Sequence, residues 1–305
     1  MTPRLHEFSA LGPGGFSRIG YVEWGPEDAQ RTVVCLHGLT RNSRDFDFLA
    51  QRLVAMGMRV VAPDLPGRGR SEWIPRPEEY GTPLYVATMA AVIARLGVTE
   101  LDWVGTSLGG HIGMELAALP GTPIRRLVLN DFGARVQALS LQRIRSYVGA
   151  APQFDSIDEA EAYVRRTHAP YGALTDEQWH HLTEHYFVRT ADGRLRVHYD
   201  PNIGKQFSLP LLMDIVLWRV WEKVSCPVLI LRGAESDLLL AATIAEMKRR
   251  GTAAARGLVQ SVEFSGCGHV PILMTETQTR PIEDFLTGEH AMGSVAAPKM
   301  QGRVA

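Results

Sequence analysis

Gly105-Thr106-Ser107-Leu108-Gly109-Gly110 is the stretch on which the reading of this 305-residue chain turns. It contains G-x-S-x-G, follows the apolar run LDWV at 101–104, and opens a helix-like stretch at 108–119. A serine forced into a tight strand-to-helix turn sits near strained backbone angles. The positions two before and two after it must lack a Cβ so that strand and helix can approach. The turn lifts the hydroxyl above the sheet, and the Leu108 N–H faces the reacting carbon from a helix N-terminus. Ser107 is the expected nucleophile and Leu108 an expected oxyanion donor.

Outward from this turn, the chain repeats strand, turn and helix. Short β-branched runs at 32–36 (TVVCL), 59–62 (RVVA), 101–104, 126–129 (RLVL) and 228–231 (VLIL) have the continuous apolar character of strands covered on both faces. Helix-like stretches at 43–56, 83–96, 108–119, 240–250 and 273–286 lie between or after them. This order predicts an α/β fold with a mostly parallel sheet, helices on both faces and ligands at the carboxyl ends of the strands. Residues 132–222 break the alternation. They are polar and helical, show no convincing central strand, and read as an inserted helical cap. The expected core is then 1–131 and 223–287, with 288–305 an aperiodic flexible tail.

A serine hydroxyl is a weak nucleophile that needs a base, and the base needs an orienting carboxylate. His269 lies in the glycine-rich loop SGCGHVP, after a strand-like run at 259–264, where its ring could reach over the sheet. The carboxylate should leave the preceding strand. Asp237, in the loop GAESD, is the expected acid, with Glu235 as its near rival and Asp131, after the 126–129 strand, as the distant one. The loop HGLT after the 32–36 strand offers the Leu39 N–H as the second oxyanion donor, and His37 reads as a residue that orders this loop.

Together the HG loop, the run PDLPGRGRS at 63–71, GTSLGG, GAESD and GCGHVP resemble the α/β-hydrolase fold superfamily, in its esterase, lactonase and C–C-bond-hydrolase branch. The resemblance covers most of residues 20–287 and is most specific at the elbow and the histidine loop. It implies acylation of Ser107 with His269 as base, then hydrolysis of the acyl-enzyme by water, with no metal and no organic cofactor. Haloalkane dehalogenases and epoxide hydrolases of this fold place aspartate at the nucleophile position, so Ser107 argues against both. The expected activity is hydrolysis of small to medium apolar carboxylic esters, aliphatic polyester or hydroxyalkanoate oligomers among them. Lactone hydrolysis, C–C bond hydrolysis and a ligand receptor built on a hydrolase scaffold are the alternatives.

Composition fits an ordinary soluble globular protein: 45% hydrophobic, 21% charged and a formal net charge of -1. The near-zero charge argues against nucleic acid as partner. No apolar run spans a membrane, and no signal-peptide pattern opens the chain. Cys35, Cys226 and Cys267 are odd in number and without metal-ligand spacing, which suits the cytoplasm. Arg41, Trp218 and Trp221 are the expected substrate contacts. His181-Leu182-Thr183-Glu184-His185 matches H-x-x-E-H, a zinc pattern on a helix, but the spacing identifies no third ligand.

Overall fold

The computed structural model describes residues 2–207 and 213–288. The expected tail lies outside them except for Gly288, a left-handed residue (φ 81°) that ends the last helix. Eight strands form the central sheet: β1 (Arg4–Gly12), β2 (Gly15–Trp24), β3 (Thr32–Leu36), β4 (Arg59–Pro63), β5 (Leu101–Thr106), β6 (Ile124–Asn130), β7 (Val228–Gly233) and β8 (Val259–Phe264). Their order is β1-β2-β4-β3-β5-β6-β7-β8. β1 and β2 pair antiparallel, as do β2 and β4, and every pair from β4 to β8 is parallel. The antiparallel hairpin is an addition to the expected sheet.

Alternate side chains of the central strands feed two cores. On β3 and β5, Val34, Leu36 and Trp103 join one cluster with Tyr85, Met89 and Ile112. Val33, Cys35 and Val104 join the other with Leu49, Leu53 and Ile282. Every residue of β3 and β5 is buried, which is why these strands read as continuous apolar runs. The helices that carry these side chains are α1 (Asp47–Ala55), α2 (Thr82–Leu96), α3 (Leu108–Ala117) and, late in the chain, a helix at Glu276–Thr287.

Helix α3 is poor in intrinsic propensity because Gly109, Gly110 and Gly113 each cost about 0.5–1 kcal/mol relative to alanine. Close approach to the sheet explains two of them. A Cβ on Gly109 would lie 2.0 Å from the Leu36 carbonyl oxygen, and one on Gly113 would lie 2.2 Å from Trp103 Nε1. That indole instead donates to the Gly109 carbonyl at 3.1 Å, tying α3 to β5.

Between β6 and β7 the chain leaves the sheet. This segment holds α4 (Ala138–Arg145), α5 (Ile157–Thr167), α6 (Asp176–Tyr186) and the short α7 (Trp218–Trp221). Helix α6 starts in a capping box, in which Thr175 Oγ1 accepts from the Gln178 N–H and Gln178 Oε1 from the Thr175 N–H. Helices alone were expected here. The segment also holds a three-stranded antiparallel sheet (Gln153–Phe154, Leu195–Val197, Phe187–Arg189) and a two-stranded one (Ile215–Val216 with Arg135–Val136). Its apolar side chains, Val164, Leu182 and Tyr186 among them, are continuous with the first core cluster.

Candidate active site

The loops that carry chemistry all leave the carboxyl ends of the parallel strands. Ser107 follows β5 with φ 51° and ψ −113°, a strained conformation for a residue with a Cβ. Its N–H donates to the Asn130 carbonyl at 2.8 Å. A Cβ on Gly105 would lie 2.2 Å from the Gly109 carbonyl oxygen, so the glycines flanking the serine are steric requirements of the turn.

His269, in the loop after β8, has Nε2 3.0 Å from Ser107 Oγ. Its Nδ1 lies 2.6 Å from Asp131 Oδ2. The carboxylate at the imidazole is therefore Asp131, and the expectation of Asp237 is corrected. Asp131 follows β6 in a left-handed conformation (φ 55°), which an aspartate tolerates better than most residues, and its side chain is fully buried. Ser236 Oγ donates to the same Oδ2 at 2.7 Å. That hydroxyl also accepts from the N–H groups of Leu238 and Leu239, which fixes its direction.

Asp237, one residue on, faces another way. Its side chain is 46% exposed and forms a fork with Arg143 of α4, at 2.7 and 2.8 Å. Burial pushes its pKa up, but the Arg143 hydrogen bond and charge outweigh this and hold it below the usual carboxylate value. Asn130 knits the site together: its Nδ2 donates to Thr106 Oγ1 at 3.1 Å and to the Pro271 carbonyl at 2.8 Å. Neighbours of the nucleophile and of the base are thereby held by one buried amide.

A cavity opens over Ser107 and His269. Leu39, Arg41, Tyr147, Tyr171 and Tyr186 are in its wall, with Arg143 and Ile144 from α4. Leu39 is thus placed at the cavity, and Leu108 begins α3 directly after the serine. The loop behind Leu39 is ordered by His37, which is wholly buried. Its Nδ1–H donates to the Gly38 carbonyl at 2.7 Å and its Nε2 accepts the Leu65 N–H at 3.0 Å. Burial first, then the charges of Arg68 and Arg41, push its pKa down to about 3, so it stays neutral.

Arg41 lines the cavity as expected. Its Nε lies 3.0 Å from each Asp45 carboxylate oxygen, its guanidinium sits 5.0 Å from the Tyr186 ring centre, and its buried Nη1 has no hydrogen-bond partner. Trp218 and Trp221 do not line it. Trp221 is buried with its indole N–H directed to the carbonyls of Met247 and Arg250, and Trp218 stacks under the Arg250 guanidinium. The aromatic wall is made of tyrosines instead, a difference that helix spacing within an insertion does not reveal. His111, one turn past the serine, pairs with Glu115 and stacks on Phe132.

The profile described as "Alpha/beta hydrolase family" matches residues 33–285. A 3-hydroxybutyrate-oligomer hydrolase from Cupriavidus necator is 42% identical over 295 residues, covering 94% of this chain and 99% of that one. A 2-(acetamidomethylene)succinate hydrolase from Mesorhizobium japonicum is 30% identical over 71% of this chain and 75% of its own length. Among solved structures, an alpha/beta hydrolase from Novosphingobium aromaticivorans superposes with a TM-score of 0.83 at 31% identity, covering 93% of this chain and 98% of that one. No helix among the described residues is long and apolar enough to cross a membrane. The serine elbow and its imidazole partner, the sheet order and these relatives together make the chain a carboxylic ester hydrolase, and it belongs to the alpha/beta hydrolase family.

Proposed function

We propose that the protein hydrolyses short 3-hydroxyalkanoate ester oligomers, with Ser107, His269 and Asp131 as its catalytic residues. The observation that carries the mechanism is the unbroken relay from Asp131 Oδ2 through the imidazole to Ser107 Oγ, at 2.6 and 3.0 Å. His269 Nε2 takes the hydroxyl proton as Oγ attacks the ester carbonyl, and Asp131 stabilises the imidazolium by accepting the Nδ1–H. The N–H groups of Leu39 and Leu108 receive the oxyanion. Each donor of this kind contributes about a hundredfold or more in rate. The imidazolium then protonates the departing alcohol, and a water activated by the same nitrogen releases the acid from Ser107.

The substrate class rests on the relative from Cupriavidus necator and on the cavity's chemistry. Tyrosines and Ile144 suit an aliphatic polyester chain, while Arg41 with its free Nη1 and Arg143 suit the carboxylate that ends such an oligomer. Residues 132–222 act in this reading as a cap that closes the cavity over the core. The three free thiols suit a cytoplasmic setting.

Fluorophosphonate labelling followed by adduct mapping tests the mechanism. The adduct should sit on Ser107, and Ser107→Ala should lose both label and ester hydrolysis. An adduct elsewhere would overturn the assignment. Linear 3-hydroxybutyrate trimer as the free acid should be hydrolysed with higher kcat/KM than its methyl ester, and the reverse order would exclude carboxylate recognition by the two arginines.

A further inference from the structure

A second cluster of side chains lies outside the catalytic cavity, at the junction of α1 and α6. Asp47 opens α1, and His181 and His185 stand one turn apart on α6. The three can present ligand atoms all within 4.8 Å of one another. His181 Nε2 lies 3.8 Å from Asp47 Oδ2. The two imidazoles meet edge to face with centres 4.5 Å apart. The H-x-x-E-H spacing supplies two nitrogens, and the fold adds the oxygen that the spacing lacks.

We propose that Asp47, His181 and His185 bind one divalent transition-metal ion of the zinc type, and that this ion inhibits turnover by pinning α6 to α1. Two imidazoles and one carboxylate select zinc, copper or nickel over the oxygen-preferring calcium and magnesium. All three groups are half-buried, so an ion can enter and keep a water as its fourth ligand. A hollow beside the cluster, lined by Glu161, Asp176, Glu177 and Glu184, draws cations toward His181.

The site has a competitor that limits its affinity. Arg44 Nε holds the Asp47 carboxylate at 2.8 and 3.0 Å, reinforced by Nη2, and the Arg44 carbonyl accepts the His181 Nε2–H at 3.1 Å. An ion must displace the guanidinium, and must also replace that hydrogen bond if it takes Nε2. The link to turnover is positional. Helix α6 ends at Tyr186, in the cavity wall over Arg41, and Asn42 already donates to the His185 carbonyl at 2.7 Å. A coordinate bond at His185 therefore acts one residue from the cavity wall. None of the three ligands lines the cavity itself.

The test uses the full chain freed of metal by a chelator and dialysed. Zinc binding is followed by calorimetry, a visible absorption band of cobalt(II) reports the ligand set, and p-nitrophenyl butyrate hydrolysis is measured in parallel. The expected result is one equivalent bound and a fall in kcat of roughly fivefold or more at saturation. His181→Gln and Asp47→Asn should each weaken binding and inhibition about tenfold or more while metal-free activity stays at the wild-type level. Arg44→Gln should tighten binding by freeing the carboxylate.

Equal binding in His181→Gln would overturn the proposal, as would the absence of calorimetric heat and of a cobalt band in the wild type. Inhibition that survives in His181→Gln would place the metal elsewhere, at His269 for instance. Binding without inhibition would overturn the coupling to α6. The binding measurements read independently of any catalytic activity.

Discussion

The loops that leave β6 and β7 begin alike and end in different environments. Each rises from the carboxyl end of a buried parallel strand and each carries an aspartate, Asp131 in one and Asp237 in the other. Asp131 turns inward through a left-handed backbone, loses all contact with water and receives hydrogen bonds from His269 and Ser236. Asp237 stays nearly half exposed and pairs with an arginine of the insertion. A carboxylate that must stabilise an imidazolium is worth most where water does not screen it, and an exposed fork with arginine is worth little. Burial and direction separate the two aspartates, and residue type and position after a strand do not.

The comparison can be broken by substitution. Asp131→Asn keeps the shape but lets the amide donate to Nδ1, which puts the imidazole proton on the nitrogen facing Ser107. A fall of about 10⁴-fold in kcat is expected, with KM nearly unchanged. If steady-state kinetics on p-nitrophenyl butyrate showed a larger loss for Asp237→Asn, the assignment of the acid would be reversed. Ser236→Ala comes next. It removes one hydrogen bond from a buried carboxylate, about 1.5–3 kcal/mol in the charged case, so kcat should drop about tenfold or more. An unchanged kcat would show that the hydroxyl serves only the loop. Asp237→Asn should change kcat on the same ester by under about threefold, because an exposed pair contributes at most about 1 kcal/mol.

Burial also bears on stability, through its effect on histidines. His37 and His168 are pushed down to about 3, by burial first and by Arg41 among their neighbours. Their ordinary value is 6.5, so between pH 6.5 and about 3 the unfolded chain takes up protons that the native chain refuses. Each ring then removes up to about 1.4 kcal/mol per pH unit. Asp64 works against this. Burial raises it from 3.8 to about 6, which favours the native state on acidification across that window. Burial lowers His185 to about 3 as well, and three rings against one carboxyl predict a melting temperature that falls as the pH drops below 6.5. A melting temperature that rose across the same range would show that the rings are hydrated in solution.

Much of this arrangement was legible in the residues, for reasons that are local. Five of the six parallel strands were visible because both faces are buried, and the elbow because its steric demands dictate glycine at fixed positions. His269 stood out on a glycine-rich loop after a strand. The hairpin of β1 and β2 was not legible as such. β1 is an edge strand with most side chains half or fully exposed, and its alternation of polar and apolar residues carries little apolar signal. The strands of two or three residues in the insertion are too short for any period to show. Position alone favours Asp237 over Asp131, because its loop leaves the strand that precedes the strand of the histidine loop. Which loop turns toward His269 depends on contacts across the sheet, such as Ser236 to Asp131. Trp218 and Trp221 misled for a similar reason: large aromatics in an insertion can pack inward against the core as readily as they line a cavity.

The relay from Asp131 to Ser107 also has a consequence for the order of events in synthesis. His269 lies 162 residues after the serine and 138 after the acid that holds it. A nascent chain that has already made its elbow and the strands around it still presents only an unactivated alcohol, since the base arrives with the loop after the outermost strand. Chains cut short by stalling or early proteolysis, however well folded at their centre, are chemically silent. Competence for ester cleavage comes only when the sheet has closed on the side of β8.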